Sequence, residues 1–171
     1  MKSITKITIL FIFLSFSVAG FAQKPIKLGH INSDELLKKL PEKDTVEAKL
    51  AKYYKELEVT LKSMQTEFEN RYKDFTEKSA QMSELIKQTK AQELQDMQSR
   101  YEEFQQNAQK EFQQKRSEMY EPLINKLKKA IEEVAKENKY TYVFDSSVGV
   151  LLYSEDSEDI MPLVKKKLNL K

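Results

Sequence analysis

Cysteine is absent from the 171 residues, and glycine and proline number only 3 and 4. Without cysteine there is no disulfide and no thiolate metal site, so packing alone must hold the fold. The three glycines are too few for a loop-rich enzyme fold, and no Gly-rich phosphate loop is present. Histidine occurs once, as His30. A lone histidine on a strand is more often structural than a ligand or a base. The carboxylate pairs Glu102-Glu103 and Glu132-Glu133 are adjacent on helices, where neighbouring side chains diverge, so they read as solvated surface rather than an acid/base pair. No catalytic constellation, metal or cofactor is expected.

Long hydrophobic runs are also scarce. One exists, Ile7 to Val18, after Lys2 and Lys6 and before Gly20-Phe21-Ala22. It is short for a membrane span. A basic segment, an apolar stretch and small residues at the end predict a secretory signal over residues 1–22, cleaved after Ala22. Removing it takes away two lysines and no acid, which leaves 27 basic and 27 acidic residues and a formal net charge of 0. That neutrality argues against electrostatic binding to nucleic acid. With no cysteine after the cleavage site, lipid attachment there is excluded. The expected compartment lies beyond the inner membrane of a bacterium.

What is abundant is charge, at 33%, and helical periodicity. From Leu50 to Ile86 apolar residues recur mostly in alternating steps of four and three: Leu50, Tyr54, Leu57, Leu61, Met64, Phe68, Tyr72, Phe75, Met82 and Ile86. The same spacing runs from Leu94 through Met97, Tyr101, Phe104, Ala108, Phe112, Met119, Leu123 and Leu127 to Ile131. This is coiled-coil spacing, and the two runs mirror each other. Met82 is set against Met97, Phe75 against Phe104, Phe68 against Phe112, and Tyr54 against Leu127. The pattern predicts an antiparallel helical hairpin over residues 43–121, reflected about residue 90. Thr89 followed by Gln92 fits a capping box, whereas Ser83 with Ile86 does not, which puts the tip at Lys87–Lys90. At ~1.5 Å per residue the arm reaches roughly 65–70 Å.

The flanks read as a small body, residues 23–42 and 122–171. Ile26–Ile31 alternates as a strand. Asn32 or Ser33 caps a short helix, Asp34 to Leu40, that stops at Pro41. Pro122 is expected to kink or restart the return helix. Beyond it the apolar stripe broadens, as it must where a helix meets more than one neighbour. Asn138 is a plausible left-handed cap. Tyr140–Phe144 and Val148–Tyr153 predict a β-hairpin, and Ser157 or Asp159 a cap for a last helix with Ile160, Leu163, Val164 and Leu168 inside. Lys165–Lys167 suits the end of that helix, and three lysines are too few to argue contact with a membrane surface. The fold class is α+β, mostly helical. Three strands leave open edges and an uncovered apolar face, so the body is expected to self-associate through Ile26, Leu28, Tyr142, Phe144, Val150 and Leu152.

In this order the residues resemble the Skp/OmpH family of periplasmic chaperones. The segments that carry the resemblance are Ile26–Leu37, Glu121-Pro122-Leu123-Ile124, Ala130–Glu137, Tyr140–Asp145 and Val150–Ser154. The resemblance implies a homotrimer whose β body carries three helical arms around a cavity. Unfolded outer-membrane proteins are held there without ATP. The formally neutral mature chain departs from the strongly basic best-known member, and no lipopolysaccharide-binding set of basic residues is carried over. Contacts to such clients would come from residues beside the stripe, for which Tyr53, Val59, Leu85 and Tyr120 are the candidates. The competing assignment is a structural coiled-coil spacer of the envelope.

Overall fold

Two long helices dominate the chain, and short elements at either end form the body. A computed structural model describes residues 26–170, so the expected signal segment 1–22 lies outside the described residues. Strand β1 (Leu28–Ile31) leads into α1 (Ser33–Lys38) and the outgoing rod α2 (Pro41–Lys78). One 3-10 turn (Ser79–Gln81) precedes the return rod α3 (Glu84–Glu137). Strand β2 (Tyr142–Asp145), a 3-10 turn (Asp156–Glu158) and α4 (Met161–Lys167) complete the chain.

Asn32, not Ser33, is the cap of α1, and its Oδ1 accepts the Glu35 amide at 3.0 Å. Pro41 takes the first position of α2, where a missing amide proton has no intrahelical use. α2 runs 38 residues and α3 54, or about 57 and 81 Å at ~1.5 Å per residue.

The reversal lies at Ser79–Ser83, not at Lys87–Lys90. Ser83 caps the return rod, its Oγ accepting the Ile86 amide at 3.4 Å. Thr89 is inside the helix, its hydroxyl donating to the Leu85 carbonyl at 3.0 Å. Tyr54 consequently meets Phe112, edge to face at 5.5 Å, rather than Leu127. The midpoint of that pair is residue 83. The displacement, about two heptads, has a physical origin. A heptad pattern reflects onto itself again whenever one strand slides by seven residues, so periodicity offers several registers. The turn chooses among them.

α3 passes Pro122 as one unbroken helix, with no restart there. At its end Asn138 has φ −98°, and the left-handed residue is Lys139, φ 60°. That turn delivers the chain to β2, which pairs parallel with β1 from Leu28 beside Tyr142 to Ile31 beside Asp145. The expected β-hairpin does not form: the sheet has two strands and no strand covers Val148–Tyr153. A strand needs a partner edge. β1 occupies one edge of β2, and no described segment pairs with residues 148–153. The other edge of β1 holds a single parallel bridge, His30 to Asp159, extended by the Ile160 amide donating to the His30 carbonyl at 2.9 Å.

The core sits where the root of the hairpin meets the sheet. Ile31, Leu36, Leu40, Leu123, Leu127, Ala130, Val134, Ile160, Met161 and Val164 are buried together. Leu163, expected inside, is 38% exposed. Asp159 Oδ1 accepts the Met161 amide at 2.8 Å and fixes the entry to α4. Gly29 is required by space. A Cβ there would stand 2.9 Å from the Tyr140 ring and 3.0 Å from Ile160.

Candidate interaction surfaces

The hairpin is fastened at its root. Lys126 Nζ reaches Glu42, the Tyr120 hydroxyl donates to Glu47 at 3.4 Å, and the Tyr53 hydroxyl donates to Glu111. Two of the four candidate contact residues are therefore engaged inside the arm. Tyr53 and Tyr120 are half-buried, and Tyr120 also packs against the body core. Val59 and Leu85 are free, 56% and 74% exposed. The neighbours Tyr53 and Tyr54 exchange the roles expected of them. Tyr54 was assigned to the seam, yet it is more than half exposed, touching Phe112 from the side. Both fit the four-three spacing after Leu50, so only the true register separates them. Tyr72 is likewise exposed, and Ile86 joins Leu85 as an apolar residue beside the tip.

The bond from Tyr53 to Glu111 has a titration signature. Hydrogen bonding to that carboxylate, with burial and the charge of Glu111 adding to it, pushes the Tyr53 hydroxyl up to about 12. The folded protein thus keeps a proton that the unfolded chain releases near 10. The contribution of this rung is complete below pH ~10 and disappears as pH rises toward 12. In a spectrophotometric titration Tyr53→Phe is expected to remove the last tyrosine to ionise. An unchanged high-pH limb would show that the rung is not formed.

At the body, Tyr142 and Phe144 alternate outward along β2 with ring centroids 6.4 Å apart. Ile26 and Leu28 are exposed on the paired strand side. Val150 and Leu152, 81% and 94% exposed, lie in the segment that forms no strand, together with exposed Val148 and Tyr153. The strand period placed Tyr142 and Phe144 on one face of a strand, and they are exposed there. It misassigned the secondary structure around Val150 and Leu152 because an apolar alternation does not say whether its partner is in the same chain.

Polar contacts tie the two ends of the body together. Asp145 Oδ1 accepts the Ser33 amide at 3.2 Å and the Ser147 amide at 2.9 Å, and Oδ2 accepts the Ser33 hydroxyl. Burial pushes the Asp145 carboxyl up, but the donors from Ser33 and Ser147 outweigh it and hold the group below its ordinary value. His30 Nε2 lies 3.1 Å from the Glu155 carbonyl oxygen, a structural contact that anchors the loop before α4. Lys167 pairs with Glu133 and Glu137. Among the described residues no group of His, Asp and Glu could hold a metal ion, and no helix is long and apolar enough to cross a membrane.

No curated protein matches the chain. A solved structure with this fold is that of a candidate outer membrane chaperone (OmpH-like) from Caulobacter crescentus CB15. It is 17% identical, with 84% of each chain covered and a TM-score of 0.72. The likeness covers the same helical arm on a small β body. A family model described as outer membrane protein (OmpH-like) matches residues 27–168. By that match over most of its length, the chain belongs to the OmpH-like outer membrane protein family.

Proposed function

We propose that this protein is an ATP-independent periplasmic holdase chaperone. In this reading it is a homotrimer that receives unfolded outer-membrane proteins between its arms and keeps them from aggregating. The observation that carries the proposal is a rod hairpin that no other described element covers beyond its root, mounted on a body that leaves Ile26, Leu28, Tyr142, Phe144, Val150 and Leu152 exposed among the described residues. Family membership supports it, as does the chaperone description of the Caulobacter crescentus protein. Ile26, Leu28, Tyr142, Phe144, Val150 and Leu152 form the association face. Val59 and Leu85, with Tyr53 and Tyr120 nearer the root, serve the client. Weak, numerous contacts suit a holdase, since each is easily released.

The test uses the mature protein, a denatured outer-membrane protein and no nucleotide. Light scattering is expected to fall to baseline at stoichiometric amounts of trimer, with three subunits measured by native mass spectrometry. A monomer that fails to suppress scattering at tenfold excess would end the proposal.

A further inference from the structure

The fastening of the arm is uneven along its length. All described hydrogen bonds and ion pairs between the two rods lie at or rootward of the Tyr53–Glu111 rung: this rung, Glu47–Tyr120 and Glu42–Lys126. Farther out, every described ion pair joins neighbours three or four apart on one rod, as in Lys55–Glu58, Lys73–Glu77 and Lys90–Glu93. Such pairs stabilise each helix by itself and contribute nothing across the seam. Besides the attraction of the Lys90 charge for Asp74, what lies along the distal seam is a line of half-buried apolar side chains: Met64, Phe68 and Phe75 on α2, and Leu94, Met97 and Phe104 on α3.

The outer surface of the arm offers a client separate footholds: Tyr54 and Val59 near the rung, Tyr72 roughly 20 Å farther out at ~1.5 Å per residue, and Leu85 with Ile86 beside the tip. The seam, by contrast, is a continuous line of methionine and aromatic side chains, adaptable and large in contact area.

We infer that the distal seam of the arm, from the Tyr53–Glu111 rung to the tip, opens and is itself the surface that binds an unfolded apolar polypeptide segment. The two rods keep their helices on opening, held by their internal pairs, and the root stays closed through its three polar rungs. The client replaces the facing rod in contact with the seam, so apolar burial is exchanged rather than lost. This rests on the holdase reading above and assigns its binding surface.

Because the chain has no cysteine, a single engineered pair can lock the arm. Asp74 and Lys90 line one cavity between the rods and are not among the seam residues, and the variant Asp74→Cys with Lys90→Cys is assayed oxidised and reduced. The oxidised arm is expected to need at least tenfold more protein for equal suppression of client aggregation, and reduction is expected to restore it. Equal protection in both states overturns the inference and leaves the holdase reading intact. Protection in neither state, with wild-type protein equally inactive, removes the holdase reading instead. Spin labels test opening without any client. A distal pair at Lys73 and Glu93 is expected to give a broad distance distribution with a long component, and a root pair at Lys49 and Ser117 a narrow one. Equally narrow distributions overturn the inference, whether or not the disulfide forms.

Discussion

Leu36→Ala is expected to lower the unfolding free energy of the body by about 2–5 kcal/mol, the range for removing a fully buried leucine side chain. Leu36 has no exposed surface. It sits on α1, which is only six residues long, far below the length at which a helix stands alone in water. Its helical state therefore depends on docking, and Leu36 is the residue that docks it against the root of α3 within the core. Loosening α1 also loosens what it carries: the Asn32 cap and the two donors from Ser33 to Asp145. Guanidinium unfolding followed by hydrogen exchange at the amides of α1 and β1 reads the body, because five of the eight tyrosines lie on the rods and their dichroism would not. Far-ultraviolet dichroism is dominated by the rods, so its loss is expected to lag behind. A midpoint shift worth less than about 1 kcal/mol would mean that the site collapses freely around the missing atoms.

The second large effect is expected at Asp145. Its carboxylate accepts from Ser33 and from Ser147, joining residues more than a hundred positions apart. Asp145→Ala leaves the Ser33 and Ser147 amides without their acceptor in a half-buried place, which costs about 2–3 kcal/mol when water repairs part of the loss. Asp145→Asn keeps one acceptor and is expected to lose about half as much. The pH dependence has a definite sign. The folded carboxyl titrates below its ordinary value of 3.8, because the donors overcome the burial that would raise it. The charged form is thus favoured by folding, and its contribution is complete above the unfolded value. It is lost as pH falls through the lower folded one. The stability gap between wild type and Asp145→Ala is therefore expected to stay constant from pH 5 to 8 and to close on the acid side of 3.8. A gap that persists at pH 2 would assign the effect to packing.

Much of this architecture is readable from residues, and the failures share a cause. The rods, the strand β1, the Asn32 cap and the place of Pro41 rest on local chemistry, and local chemistry decided them. The tip did not, since a heptad reads the same after each shift of seven and no glycine or proline marks the turn. Ser83 was passed over as a cap because the Glu or Gln of a capping box is missing three residues on, although the hydroxyl alone suffices. The choice between Tyr53 and Tyr54 inherited the register error. Lys139, φ 60°, holds the left-handed position that the sequence assigns to Asn138, one residue along. The missing third strand is a different matter. Val148–Tyr153 has the composition of a strand, but strand formation depends on an edge that this chain does not supply.

The periodicity that concealed the turn has a consequence for how such an arm can evolve. Cutting seven residues from each rod at matching levels removes one repeat and leaves the turn, the Tyr53–Glu111 rung and the root untouched. Reach is thereby separated from foldedness. The arm behaves like a telescoping mast whose sections are interchangeable, and a lineage can retune its reach in steps of about 10 Å without redesigning either end.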